Sequence, residues 1–249
     1  MNAVGDLRRR YGALTSDDVA RLDRASVECG VSVTQLMEVA GWQVARCAWR
    51  WVGETPVAVA VVAGHGNNGG DALVAARHLR TWGCDVHIHV VSSRDRIVGL
   101  VATHLAAAER CEIPTTVGTD ADAIAPAARV AVLVLDGLLG TGLSGEPREP
   151  ARSAIRVINA ASRSVLSIDV PSGLDATSGF TPDTCVRATV TCTLAAMKAG
   201  LWAASARDIA GRIEVADIGL PAAAWKRCGL EQPTEVRGAG FSSLPSLTA

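Results

Sequence analysis

Aromatic side chains are scarce in this chain, with one Tyr, two Phe and six Trp among 249 residues. The bases of a single-stranded nucleic acid stack on aromatic platforms and find little material here. An excess of one charge is missing too, because 24 Lys and Arg against 25 Asp and Glu leave a formal net charge of −1. Neither a polyphosphate backbone nor an acidic membrane surface meets a basic counterpart. The seven cysteines (Cys29, Cys47, Cys84, Cys111, Cys185, Cys192 and Cys228) are scattered and never form C-x-x-C. That spacing indicates neither a disulfide framework nor a zinc knuckle, and the thiols are expected to be reduced, small apolar side chains. No uncharged apolar run reaches the roughly 18 residues of a membrane-spanning helix. The basic start MNAVGDLRRRYG is followed by no apolar segment of the signal-peptide kind. A cytoplasmic protein without nucleic-acid or membrane partners is the resulting expectation.

What is present is apolar material in alternation. The first 55 or so residues read as helical, with Thr15-Ser16-Asp17-Asp18 as an N-cap followed by acids that oppose the helix dipole. A second helix is expected from Ser32 to Trp51, separated from the first by Gly30. From Pro56 the pattern changes. Val57 to Ala63 is an unbroken apolar run suited to a strand buried on both faces. Further strands are expected at 85–91, 113–117, 130–135, 164–168, 188–194 and 212–216, with helices at 70–82, 95–110 and 149–161 between them. Such alternation predicts a three-layer αβα Rossmann-like fold, a mostly parallel central sheet with extra N-terminal helices. One domain spanning 1–249 is expected, its core at about 14–221 and its tail at 228–249 weakly structured.

Three polar loops follow strands. The first is Gly64-His65-Gly66-Asn67-Asn68-Gly69-Gly70-Asp71, in which Gly64, Gly66 and Gly69 satisfy G-x-G-x-x-G between a strand and a helix. Free N–H groups at a helix start, reached over glycines, make an anion site. His65 reads as a loop residue, and Asp71 as either a dipole partner or a site residue. The second loop runs from Asp136 through Gly140-Thr141-Gly142-Leu143-Ser144-Gly145-Glu146. The third is Asp169-Val170-Pro171-Ser172-Gly173-Leu174-Asp175, where Pro171 forces Val170 extended and holds Asp169 and Ser172 at the strand end. Ligands of an open parallel sheet bind beyond the carboxyl ends of its strands. The oxygens of Asn68, Asp136 and Ser172 suit a hard cation better than zinc. His87 and His89 alternate along a strand and read as structural.

Taken together, LMEVAG at 36–41, AGHGNNGGDALVAARHL at 63–79, DGLLGTGLSG at 136–145, DVPSGLDATSG at 169–179, Lys198-Ala199-Gly200 and VADIGLP at 215–221 resemble the NAD(P)H-hydrate epimerase family, the YjeF N-terminal domain. The resemblance covers roughly residues 14 to 221. It implies an isomerase that interconverts the R and S hydrates of damaged NADH and NADPH, a metabolite-repair activity. It implies that Asn67, Asn68, Gly69, Gly70 and Asp71, with Gly140, Thr141, Gly142, Leu143, Ser144, Gly145 and Glu146, hold the phosphates and ribose of the substrate. It implies a potassium ion on Asn68, Asp136 and Ser172, and Asp169 as the acid that contacts substrate. His65, Ala72 and Val39 depart from the common family pattern.

On this reading Asp169 shuttles the proton at the hydrated nicotinamide carbon. Lys198 either polarises the hydroxyl, neutralises phosphate, or is an ordinary surface lysine. The alternatives are an NADP-dependent oxidoreductase, with Ser92-Ser93-Arg94 at the 2′-phosphate, a non-catalytic scaffold, or a relative turned to another small molecule. The oxidoreductase lacks a Tyr-x-x-x-Lys pair, since Tyr11 is the only tyrosine. Trp42, Trp49 and Trp51 offer apolar surface for a homodimer, and a separate dehydratase is expected as the pathway partner.

Overall fold

The computed structural model of the protein describes residues 3–238 and 240–245. Three helices come first: α1 (Ala3–Tyr11), α2 (Ser16–Glu28) and α3 (Val33–Trp51). Both long ones start on capping boxes, Thr15 with Asp18 and Ser32 with Gln35, in which side chain and backbone satisfy each other reciprocally. The sequence then alternates as expected: β1 (Ala58–Ala63), α4 (Asn67–Thr81), β2 (Asp85–Val91), α5 (Gly99–Arg110), β3 (Thr115–Gly118), α6 (Ala125–Val130), β4 (Leu133–Gly137), α7 (Ala151–Ala160), β5 (Ser164–Ile168) and β6 (Val190–Leu194). It closes with α8 (Ala204–Ala210), β7 (Arg212–Ala216), α9 (Ala222–Cys228) and β8 (Phe241–Ser243).

The described strands form one sheet in the order β3-β2-β1-β4-β5-β6-β7-β8, parallel throughout except where β8 runs antiparallel to β7. Chain order reverses between β1 and β4, the switch point at which such sheets bind ligands. Alternate residues of β1 face opposite layers. Val59, Val61 and Ala63 join the core beneath α3, α4 and α5, whereas Ala60 and Val62 pack with α6 and α7. A further cluster gathers Tyr11, Trp202, Ile209 and Val215 about α8. This is the expected three-layer arrangement. No described helix is long and apolar enough to cross a membrane.

Four local expectations are corrected. The helix after the glycine turn begins at Asn67, not Gly70, so the two asparagines lie in its first turn. The strand expected at 130–135 runs from Leu133 to Gly137 because α6 occupies the preceding residues, and Asp136 is thereby inside the strand. The stretch after Cys228 is not all weakly structured: it supplies β8, whose Ser243 hydroxyl donates to Glu214 at 2.8 Å. Residues 246–249 of that expectation lie outside the described residues. Finally, Trp49 and Trp51 are half-buried. Trp49 packs edge-on against Trp82, and the Trp51 indole donates to Ser164 at 3.2 Å. Of the tryptophans expected to form a dimer surface only Trp42 is exposed, with the Arg46 guanidinium over its ring.

Candidate active site

A cleft of about 1010 Å³ opens above the switch point, walled by the ends of β1, β4, β5 and β6 and roofed by α2 and the start of α3. Its floor is built by interlocked glycines. The Gly64 N–H donates to the Gly137 carbonyl at 3.0 Å, tying the end of β1 to that of β4. A Cβ on Gly64 would stand 2.1 Å from the Leu138 carbonyl oxygen, and one on Gly69 would stand 2.0 Å from that of Gly64. Ala72 similarly fills the space where Gly137 would carry a Cβ, 2.5 Å away. Close approach, rather than left-handed backbone, is what these positions need from glycine. Gly66 is the N-cap of α4 and brings no side chain to it, so the first N–H groups of the helix remain available to an anion.

Asn67, Asn68, Asp71, Gly140, Thr141, Gly142, Leu143, Ser144, Asp169 and Lys198 all line this one cleft. Others of the residues expected to hold substrate do not. Gly69 and Gly70 are buried by packing, Gly70 against Met37, while the exposed Glu146 pairs with Arg152 at 3.0 Å and lies off the cleft with Gly145. His65 stands at the mouth with its Nε2 2.9 Å from Arg96 Nη2, and partial burial and that cation both lower its pKa. Arg94 is engaged by Glu109 at 2.7 Å. Asp175 closes a turn, accepting from the N–H groups of Thr177 and Ser178 at 3.0 and 2.7 Å. His87 is exposed beside Asp85, whereas His89 is buried and approaches the Thr116 hydroxyl at 2.5 Å.

Asp136 is fully buried at the end of β4. One carboxylate oxygen accepts from the Ser172 hydroxyl at 2.6 Å and the Leu138 N–H at 3.3 Å. The other accepts from the Ser167 hydroxyl at 2.7 Å and the Ser172 N–H at 3.0 Å. Burial raises its pKa, and these hydrogen bonds oppose the shift. The Ser172 oxygen also accepts from the Leu139 N–H at 2.8 Å, and the Asn68 amide donates to the Leu139 carbonyl at 2.8 Å. Asn68, Asp136 and Ser172 thus belong to one hydrogen-bonded knot around Leu139. Its donors are carboxylate, hydroxyl, amide and main-chain carbonyl oxygens, a set that fits a hard cation. No cluster of three or more His, Cys, Asp or Glu able to hold a metal exists among the described residues.

Asp169 follows β5 with φ +68°, a left-handed conformation that Asp tolerates better than most residues. Its N–H donates to the Cys192 carbonyl at 2.8 Å, which fixes the residue against the neighbouring strand. One carboxylate oxygen, Oδ1, takes everything the protein offers: the Leu194 N–H at 3.1 Å, the Thr193 hydroxyl at 3.5 Å and the ammonium of Lys198. Oδ2 accepts no hydrogen bond from the described residues, and the side chain lines the cleft.

Lys198 is not a surface lysine. It is 1% exposed, and its ammonium donates to the Leu194 and Ala196 carbonyls at 2.5 and 3.2 Å as well as pairing with Asp169. These contacts use each of its three donors and make it the anchor of Asp169. Ser167, Thr193 and Asp23 went unnoticed in the sequence. The first two were findable as hydroxyls inside otherwise apolar strands, whereas Asp23 is brought to the cleft by the packing of α2 alone.

A strand, a glycine turn and a helix start at the switch point of a parallel sheet define a Rossmann-like nucleotide-binding class. The chain belongs to the YjeF-related protein N-terminus family, whose model matches residues 33–200. It is 38% identical over 227 residues to an NAD(P)H-hydrate epimerase of Pirellula staleyi, covering 88% of this chain and 96% of that one. It is 35% identical over 239 residues to the NAD(P)H-hydrate epimerase of Dehalogenimonas lykanthroporepellens, covering 95% and 93%. With the bifunctional NAD(P)H-hydrate repair enzyme Nnr of Hyperthermus butylicus it shares 41% over 213 residues, which is 84% of this chain and 38% of the longer protein. The fold matches the crystal structure of yeast ynu0 with a TM-score of 0.81 at 23% identity, over 93% of this chain and 99% of the yeast chain.

Proposed function

We propose that this protein is an isomerase that interconverts the R and S hydrates of NADH and NADPH. The observation that carries the reading is the state of Asp169: one oxygen locked by Lys198 and the Leu194 N–H, the other, at the wall of the cleft, without a partner among the described residues. An epimerisation at a carbon bearing a hydroxyl beside a ring nitrogen calls for such a group, because a proton must move to and from that hydroxyl. The uncapped start of α4 and the Gly140–Ser144 loop receive phosphate and ribose, which sets the nicotinamide against Asp169. The nitrogen lone pair assists departure of the oxygen, and its return on the opposite face completes the inversion. Asn68, Asp136 and Ser172 are the residues that would hold a potassium ion, whose fixed positive charge would support the phosphate-binding loops. With the bifunctional NAD(P)H-hydrate repair enzymes as the pattern, a second repair activity, a dehydratase, would act in sequence with this one.

The test is chromatographic. Purified protein with the R hydrate of NADH is expected to yield the S hydrate, and Asp169→Asn to lose about 10²–10⁴-fold in rate while still binding ligand. Unchanged turnover in the variant removes Asp169 from the chemistry.

A further inference from the structure

One buried carboxyl in the cleft has no hydrogen-bond partner among the described residues. Asp71 lies in the first turns of α4 and lines the cleft, and it is 8% exposed. Its carboxyl accepts no hydrogen bond and makes no ion pair among the described residues, in contrast with Asp136, which takes four hydrogen bonds. Buried polar groups are nearly always hydrogen-bonded, and leaving one bare is costly. A fold that retains a bare carboxyl in this cleft uses it for something other than its own cohesion.

We propose that Asp71 is the second catalytic carboxyl of the reaction, delivering the proton that turns the departing hydroxyl of the hydrate into water. The inference rests on the epimerase reading and divides the labour within it. The Asp71 carboxyl gives its proton to the hydroxyl oxygen as the carbon–oxygen bond breaks, and the ring nitrogen lone pair becomes the second bond of a carbon–nitrogen double bond. Water then adds to the other face of that carbon, the electron pair returns to nitrogen, and the water gives up a proton to Asp169. Proton exchange with solvent restores both carboxyls, so the hydrate leaves with its composition unchanged.

The surroundings suit such a pair. Asp71 is pushed well above the usual carboxylate range, first by burial and then by the neighbouring charges of Asp169 and Asp23, with Lys198 opposing them. These are the charged groups that reach it. Asp169 is in direct contact with Lys198, and Asp71 is not. Two carboxyls whose environments differ in this way are divided between acid and base.

The experiment compares wild type and Asp71→Asn on the R hydrate of NADPH, with melting and ligand-binding measurements alongside. The variant is expected to lose about 10²–10⁴-fold in rate, to bind within a few-fold of wild type, and to melt higher, because an amide does not resist burial as an ionising carboxyl does. A structural carboxylate would give the reverse melting shift. Wild-type kcat/KM is expected to fall as pH rises and Asp71 loses its proton, and the variant's residual activity to lack that alkaline limb. A rate within about threefold of wild type, or a wild-type profile flat on its alkaline side, overturns the proposal. The profile decides even if the variant fails to fold. Wild type that binds but never interconverts the hydrates would sink the epimerase reading itself.

Discussion

A lysine with 1% of its surface in water must find its ammonium partners inside the protein, and Lys198 finds them in Asp169 and two main-chain carbonyls. Removing one member of a buried pair strands the other charge, which costs about 3–5 kcal/mol. Lys198→Met is therefore expected to destabilise the fold by about that amount in urea titration. Adding Asp169→Asn should return much of it, since no lone charge then remains. Additive losses would mean that the two side chains do not act as a pair. The arrangement was only half legible. Asp169 stood out because Pro171 stiffens the loop behind it and a strand leads into it. The fate of Lys198 was not, because its partners are carbonyls at the end of β6 and in the turn after it, whose orientation no spacing rule predicts. The same holds for Asp136. Its place in a Gly-rich segment marked it as functional, but Ser167, hidden in β5, reaches it only through strand pairing between β4 and β5.

The helix start at Asn67 decides how the cleft works, and glycine decides where that helix can sit. Ala is normally the better helix residue by about 1 kcal/mol, so Gly69→Ala would be favourable in isolation. Here the new Cβ would lie 2.0 Å from the Gly64 carbonyl oxygen, a main-chain atom that cannot swing aside. Overpacking costs about 1–3 kcal/mol and wins. The neighbouring Gly70→Ala meets the Met37 thioether at 2.5 Å, a flexible side chain that can yield, and is expected to cost less. Equal melting shifts in the two variants would refute the interlock. Helix α2 offers a cleaner case. The sequence located its Thr15 cap, and Thr15→Ala should cost about 0.5–2 kcal/mol while tilting a wall of the cleft. Strong caps and unbroken apolar runs made α2, α3 and β1 readable. Element α6 and strand β8 were not, being 6 and 3 residues long, too short for any periodicity to emerge.

Across the whole molecule, the parallel sheet and its reversal at β1 and β4 gather oxygens from loops far apart in the chain, and that convergence has a thermodynamic signature. A cation held by Asn68, Asp136 and Ser172 in the folded chain alone would stabilise it by mass action, by about 2.7 kcal/mol at a hundredfold excess over its Kd. For a chain of this size that is a rise of about 5–10 °C in Tm. The effect should depend on pH in a definite sense. Burial raises the pKa of Asp136 in the folded state, so folding is favoured by protonation and apo stability declines as pH climbs past the unfolded carboxyl's value. A cation competes with that proton and opposes the decline. Potassium should therefore add little at low pH and progressively more as pH rises, with sodium and choline chlorides at equal ionic strength as controls. Asp136→Asn should abolish the potassium-specific part. Melting curves that coincide in all three salts across the pH range would take these oxygens out of cation binding and leave Asp136 as a brace for Ser172 and Ser167 alone.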